Sequence, residues 1–183
     1  MYLLRMMRVE DVPQVVSIDQ LSFGMPWSAR SYHFEISDNP NAHMFTLTHT
    51  DALDPLLNGV DQVLGYGGMW LIEGEAHIST IAVHPDYRGR GLGEVILVGM
   101  IGRALERQAD YAVLEVRVSN TAALNLYQKY EFTTVGRRKN YYRDTHEDAF
   151  LMHLAPLDQA YQSRFQARLT ALRTRLSFID AVF

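Results

Sequence analysis

"HPDYRGRGLGEVI", residues 84–96, decides how the chain is read. Arg88, Arg90 and Leu92 alternate with Gly89, Gly91 and Gly93, and an apolar run follows at once. The preceding "HISTIAV" (77–83) reads as a strand. The following "LGEVILVGMIGRALERQA" (92–109) reads as a helix, apolar enough in its first half to be buried. A strand, a glycine-rich turn and a helix start make an anion site. Free N–H groups at the helix N-terminus point at the ligand, and the helix dipole favours negative charge. Glycines let the backbone come close and take positive φ, and arginines pair with phosphate. The common nucleotide loops do not match: Gly93 is followed by Glu94 instead of Lys-Ser/Thr, and the glycine spacing is not G-x-G-x-x-G. The cluster alone fits either a phosphate or pyrophosphate cradle or an ordinary turn with solvated arginines.

Working outward, "VEDVPQVVSIDQLSF" (9–23) predicts a helix with Asp11 as N-cap, Pro13 in its first turn and an apolar face of Val15, Val16, Ile18 and Leu21. "GMPW" breaks it, and Ser28 is placed to cap a second helix, "ARSYHFEIS" (29–37). "HMFTLTHT" (43–50) reads as a strand, and "DALDPLLNGVDQ" (51–62) as a mobile loop. "VLGYGGMWLI" (63–72) is a strand whose glycines announce a bulge or a close backbone approach. "EGEA" (73–76) then turns into "HISTIAV". "YAVLEVRV" (111–118) alternates cleanly, Asn120 caps "TAALNLYQKY" (121–130), "FTTVGRRKNYY" (132–142) is a strand running into a loop, and "EDAFLMHLA" (147–155) is the last strand. Two helices, three strands, a helix, a strand, a helix and two strands make a mixed α/β sheet in one domain over 1–155. Beyond Pro156, residues Tyr161, Phe165, Leu169, Leu172, Leu176 and Ile179 recur at helical spacing. Residues 156–183 therefore read as an amphipathic helical extension of about 24 residues at most.

Composition narrows the chemistry. Net charge is −4, so no global basic surface points to nucleic acid. The chain has no cysteine, which removes disulfides, thiolate metal sites and an acyl-cysteine route. Its histidines show no H-x-x-x-H spacing and no metal site is expected. No apolar run approaches a membrane span, the N-terminal apolar patch is too short for a signal peptide, and a cytoplasmic location is expected.

Arg88-x-x-Gly91-x-Gly93 after "ISTIAV" and before an apolar helix resembles the acetyl-coenzyme A signature of the GNAT N-acetyltransferase family, and the element order over about 3–154 matches that fold. "LEVRVSNTAALNLYQKYEF", "GRRKNYY" with "HEDAFLM", and "PWS" (26–28) are similar to its RimI-like branch, which acetylates the N-terminal alanine of a ribosomal protein. The resemblance implies acetyl-CoA as cosubstrate and a protein N-terminus as acceptor. It implies that Ile81, Ala82 and Val83 meet the pantetheine arm through their backbone. Arg88, Gly89, Arg90, Gly91, Leu92 and Gly93, with Glu94 opening the helix, would hold the pyrophosphate. Asn120 would contact the coenzyme, Glu115 would be general base and Tyr127 general acid, and Tyr141 and Tyr142 would belong to a loop closing over the peptide. The 51–62 segment and the chain beyond 155 depart from the minimal enzyme.

The chemistry stands beside this on its own terms. Acetyl transfer from a thioester needs a neutral amine, a base, a donor for the carbonyl oxygen and an acid for the leaving thiolate. A main-chain N–H of the strand before the loop could be that donor. An α-amine with pKa near 7.7–8.0 is partly neutral at physiological pH, unlike lysine near 10.4. Alternation puts Tyr111, Val113, Glu115 and Arg117 on one strand face, so Glu115 is either a working carboxylate or the partner of Arg117. Asn120 and Tyr127 lie two helical turns apart on one face. Tyr127 is alternatively a core aromatic with its hydroxyl satisfied locally, and Asn120 a simple cap. Tyr141 and Tyr142 could be hairpin surface aromatics, and Arg137, Arg138 and Lys139 a solvated edge. A GNAT enzyme for lysine or a small amine, or a non-catalytic CoA-binding module, would share most of these features.

Overall fold

The computed structural model describes residues 1–49 and 61–182. Its strands β1 (Tyr2–Met6), β2 (Ala42–His49), β3 (Gln62–Ile72), β4 (Glu75–Val83), β5 (Tyr111–Arg117), β6 (Thr133–Tyr142), β7 (Glu147–Leu154) and β8 (Phe178–Asp180) form one sheet in the order β6-β7-β5-β4-β3-β2-β1-β8. The pairs β4–β5 and β1–β8 are parallel and the others antiparallel. Helices α1 (Val12–Ser22) and α2 (Ala29–Ser37) cover one face, where Val12, Val15, Ile18 and Tyr32 pack with Met44, Val63 and Tyr66. Helices α3 (Leu92–Glu106), α4 (Thr121–Lys129) and α5 (Gln159–Arg175) contribute to the larger core on the other face. This is a mixed α/β fold in three layers, and the helix and strand order read from the sequence recurs inside it. Of the 51–62 segment, residues 51–60 lie outside the described residues.

Local chemistry explains most elements. The Ser28 hydroxyl accepts from Ser31 N–H at 3.1 Å and starts α2. Glu73 (φ 47°) and Gly74 (φ 85°) make the two-residue turn between β3 and β4, a geometry that matches the right-handed twist of a hairpin. On β3 a Cβ at Gly67 would stand 2.7 Å from Ile96 Cγ2 and 3.0 Å from Met100 Sδ. The glycine therefore lets α3 lie directly on the strand. Bulges also occur, with Leu64 as the extra residue against β2 and Ser79 as the extra residue against β3.

Three expectations are corrected. Asp11 precedes α1 but does not cap it. Its carboxylate faces back to Arg5 Nη1 at 2.6 Å and Nη2 at 2.9 Å, and accepts from Arg8 N–H at 2.8 Å. Burial would raise the Asp11 pKa, but the bonds from Arg5 and Arg8 outweigh it and hold it below its ordinary value. Leu21, placed on the buried face of α1, is 56% exposed. The C-terminal stripe is helical only to Arg175. Leu176 leaves the helix with ψ 120°, and Ile179 sits 37% exposed in β8. Pairing with β1 (Tyr2↔Phe178, Leu4↔Asp180) gives these last residues an extended partner that helical spacing does not reveal.

The extension is thus built into the sheet and the core. Tyr161, Phe165, Leu169 and Leu172 are buried with Tyr130 and α3, and Glu131 pairs with Arg164 at 2.9 Å and Arg168 at 2.7 Å. Phe165 is fully buried. Phe165→Ala should therefore lower the unfolding free energy of the whole chain by about 3–5 kcal/mol in one transition by urea denaturation. A separate early transition, with the main one unmoved, would show instead that the extension folds by itself.

Candidate active site

Strands β4 and β5 pair only over Glu75↔Tyr111 to Ile78↔Leu114. Beyond that, the bulge at Ser79 lets β4 stay on β3 as far as Gly65↔Val83, while β5 stays on β7 as far as Arg117↔Ala149. The strands part, and the β4 edge facing β5 loses its strand partner over 79–83. A cleft of about 540 Å³ opens there. It is lined by Ser79, Thr80 and Ile81 from β4, Glu115, Val116 and Arg117 from β5, and Asn120 and Tyr127 from α4 and its cap. On that edge Val83 O accepts from Arg88 Nε at 2.9 Å, and the other main-chain groups that face away from β3 are left to be satisfied from the cleft side.

Glu115 projects from the half-buried face of β5, opposite Leu114 and Val116, as alternation predicts. Its side chain is only 7% exposed and lies 2.9 Å from His77 Nε2 and 3.3 Å from Arg138 Nη2. Arg117 is not its partner. That guanidinium turns to Asp144 at 2.7 Å, Glu147 at 3.2 Å and the Tyr142 ring at 3.9 Å. The His77 hydrogen bond holds the Glu115 pKa below its ordinary value despite burial, and the same bond raises His77. Arg138, read as a solvated edge, is thus a partner of the buried carboxylate.

Tyr127 packs on Phe132 with ring centroids 5.8 Å apart, and burial raises its hydroxyl pKa well beyond the usual phenol range. Asn120 caps α4 through Ala123 N–H at 3.2 Å and lines the same cleft. Cap and cleft-lining positions coincide for this residue. Tyr141 and Tyr142 stand on the far rim, edge to face at 5.1 Å. Burial pushes the Tyr142 hydroxyl up to about 12. The rims meet where Gly24, between α1 and α2, lies against the Asp144 carboxylate with no room for a Cβ. Beneath that rim Asp19 is buried, accepts from Trp27 N–H at 2.5 Å and is hydrogen-bonded by the Tyr66 hydroxyl.

The glycine–arginine loop leaves β4 at the end of this parted edge. Gly89 (φ 76°) and Gly91 (φ 82°) take left-handed backbone, and Gly91 precedes the first turn of α3. Arg88 N–H donates to Pro85 O and Glu94 N–H to Gly91 O. The N–H groups of Gly89, Arg90, Gly91, Leu92 and Gly93 have no main-chain acceptor among the described residues. Nothing stands within 4 Å of a Cβ at Gly89, so the loop is open to a ligand there. Consecutive free donors at a helix N-terminus suit a diphosphate. Arg88 braces the turn through Val83 O at 2.9 Å and Ser22 Oγ at 3.0 Å, and Arg90 lies over the Tyr87 ring at 5.0 Å. The Glu94 side chain is 8% exposed. It meets Lys129 Nζ at 2.5 Å, Tyr130 Oη at 2.7 Å and Arg175 Nη2 at 2.7 Å.

The profile of the Acetyltransferase (GNAT) family matches residues 12–132, which spans the loop, both parted strands and α4. The chain belongs to the GNAT acetyltransferase family. It is 38% identical over 149 residues to a putative [ribosomal protein bS18]-alanine N-acetyltransferase of Bacillus subtilis, covering 81% of this chain and 92% of the relative. It is 31% identical over 155 residues to the [ribosomal protein bS18]-alanine N-acetyltransferase of Escherichia coli K12, covering 79% and 90%. The crystal structure of the ribosomal-protein-S18-alanine N-acetyltransferase from Escherichia coli superposes with a TM-score of 0.73 at 29% identity, over 85% of this chain and 94% of that one. Arabidopsis thaliana NAA60, solved with acetyl-CoA, shares the fold at a TM-score of 0.73 and 15% identity, over 85% and 98%. The protein is a RimI-like GNAT N-acetyltransferase.

Within this GNAT site, sequence reasoning missed His77, Arg138 and Asp144. His77 lies opposite Val113 in the β4–β5 pair, and only that register shows that it reaches Glu115. The ion pair has a defined pH window. His77, raised above its ordinary 6.5, adds stability that is full below that value and is lost as pH rises through the raised one. Glu115, held below its ordinary 4.5, adds stability present above that value and lost as pH falls through the lowered one. Both contributions coexist between 4.5 and 6.5. His77→Gln should therefore lower the urea midpoint more at about pH 5.5 than at about pH 9. Equal losses at both would show that His77 serves packing alone.

Proposed function

We propose that this enzyme moves the acetyl group of acetyl-CoA onto the N-terminal α-amine of a cytoplasmic protein, with an alanine-starting ribosomal protein as its RimI-type substrate. The observation carrying the reading is the parted β4–β5 edge, which sets Glu115, Asn120 and Tyr127 around one cleft at whose end the free loop donors begin. The curated relatives named as bS18-alanine N-acetyltransferases support the choice of acceptor.

The loop N–H groups of Gly89 to Gly93 would hold the diphosphate, with Arg88 and Arg90 adding charge. The open edge of Ile81, Ala82 and Val83 would hydrogen-bond the pantetheine arm, beside the Asn120 side chain. When bound, the coenzyme supplies an acetyl group activated as a thioester. Glu115, ionised and only 7% exposed, attracts the α-ammonium and takes its proton, directly or through a water. An N–H on the open edge of β4 donates to the carbonyl oxygen as charge develops there. Tyr127 stays protonated because burial raises its pKa; the same shift weakens it as an acid, so its proton passes to the departing sulfur only as negative charge develops there. Tyr141 and Tyr142 flank the entering peptide. Attack is direct, since the chain has no cysteine to carry the acetyl group.

Glu115→Gln should reduce kcat/KM on an Ala-starting peptide by about 10²- to 10⁴-fold at neutral pH while leaving CoA affinity unchanged. Tyr127→Phe should slow the same reaction. A Glu115→Gln variant as fast as the parent removes the assigned base. Faster turnover of lysine side chains or small amines than of Ala-starting peptides would reassign the acceptor.

A further inference from the structure

Resting on that reading of the loop, we infer that the C-terminal extension is part of the coenzyme site, through Arg175, which meets a phosphate group of CoA. Arg175 is the last residue of α5, and its guanidinium lies beside Gly91, with Nη1 3.6 Å and Nη2 3.9 Å from the point a Cβ there would occupy. Nη2 is anchored on Glu94 Oε2 at 2.7 Å. Nη1 makes no hydrogen bond among the described residues, and the side chain is 57% exposed. One edge of the fork is thus fixed on the protein, and the other is free next to the loop whose N–H groups lack acceptors.

The charge balance at this corner favours an anion. Glu94 is 8% exposed and carries one negative charge against the two positive charges of Lys129 and Arg175. Burial would raise its pKa, but the bonds from Lys129 and Tyr130 outweigh burial and keep it ionised. The cluster therefore holds one surplus positive charge behind the first turn of α3, added to the dipole of that helix. The α5 C-terminus presents its own negative end here, and Arg175 offsets it. A fixed guanidinium with a free edge is suited to phosphate, which it meets with charge-assisted bonds. CoA offers two such groups, the diphosphate and the 3′-phosphate of its ribose.

Calorimetric titration of the full-length protein tests the assignment. CoA and dephospho-CoA, which lacks the 3′-phosphate, are titrated at low salt into the parent, Arg175→Gln and Arg164→Gln. The last variant loosens the Glu131 anchor of α5 at 3.0 Å without touching the loop. Arg175→Gln should weaken CoA roughly tenfold, about one charge-assisted hydrogen bond, and reduce the salt dependence of binding, while Arg164→Gln binds as the parent does. A parallel loss for dephospho-CoA places Arg175 on the diphosphate, and a loss confined to CoA places it on the 3′-phosphate. Parent-like affinity in Arg175→Gln overturns the inference. Equal weakening in Arg164→Gln overturns it too, because loosening of the helix would then account for the effect. A parent that binds neither compound refutes the coenzyme reading itself, a result separable from the other two.

Discussion

The parting of β4 from β5 after Ile78 and Leu114 is the constraint on which the molecule is arranged. A parallel pair normally continues as long as both strands do, because each lost rung leaves a donor and an acceptor to be satisfied elsewhere. An unsatisfied buried group costs about 1–3 kcal/mol. The chain accepts that cost over 79–83 by facing the freed groups into a cleft, where water or a ligand can reach them. Ser79 makes the parting possible: one extra residue on β4 shifts its register against β3 and lets the strand bend away without leaving the sheet. The Ser79 hydroxyl is itself buried without a hydrogen-bond partner among the described residues. On the other side β7 holds β5 from Ala112 to Arg117.

The second organising element is Glu94. In sequence it opens the helix after the glycine–arginine loop, which invites a role on the ligand. In space its carboxylate ties the first turn of α3 to Lys129 and Tyr130 at the end of α4 and to Arg175 at the end of α5. A buried carboxylate is tolerated only when its lone pairs are engaged, and here both oxygens are. The loop is therefore held from behind by elements far away in sequence, which keeps its N–H groups fixed on the open side. Preorganised donors need no rearrangement when an anion arrives.

How much of this was legible follows from the range of each interaction. The loop, the Asn120 cap and the alternation that sets Glu115 opposite Leu114 and Val116 are local, and spacing reveals them. β1 escaped because Leu3, Leu4 and Arg5 are all buried, so the strand shows no alternation, and its arginine is ion-paired with Asp11 and donates to the Thr46 hydroxyl, both from other elements. β8 escaped because helical spacing runs on through Leu176 and Ile179 after the backbone has left the helix. The partners of Glu115 escaped for a stricter reason. Arg117 sits two residues away on the same face and looks like the obvious cation, but the β6–β7 hairpin offers it Asp144, Glu147 and an aromatic ring together. Competition among long-range partners decides ion pairs, and no window of sequence contains it.

The pairing of Glu115 also bears on which amines the cleft can serve. With His77 and Arg138 against it, the carboxylate stays ionised and its proton affinity falls below that of an ordinary glutamate. In the proposed role of base, a carboxylate of lowered proton affinity serves a substrate only if little work is needed to neutralise the amine. An α-amine lies near pKa 7.7–8.0 and a lysine near 10.4, so deprotonating lysine costs roughly 3.5 kcal/mol more. That gap is more than a hundredfold in the population of the attacking form. Arg138, and His77 when protonated, also compete with any ammonium group brought beside the carboxylate, which penalises a fully charged lysine more than a half-neutral chain terminus. Electrostatics at one buried side chain thus supports the proposed α-amine acceptor.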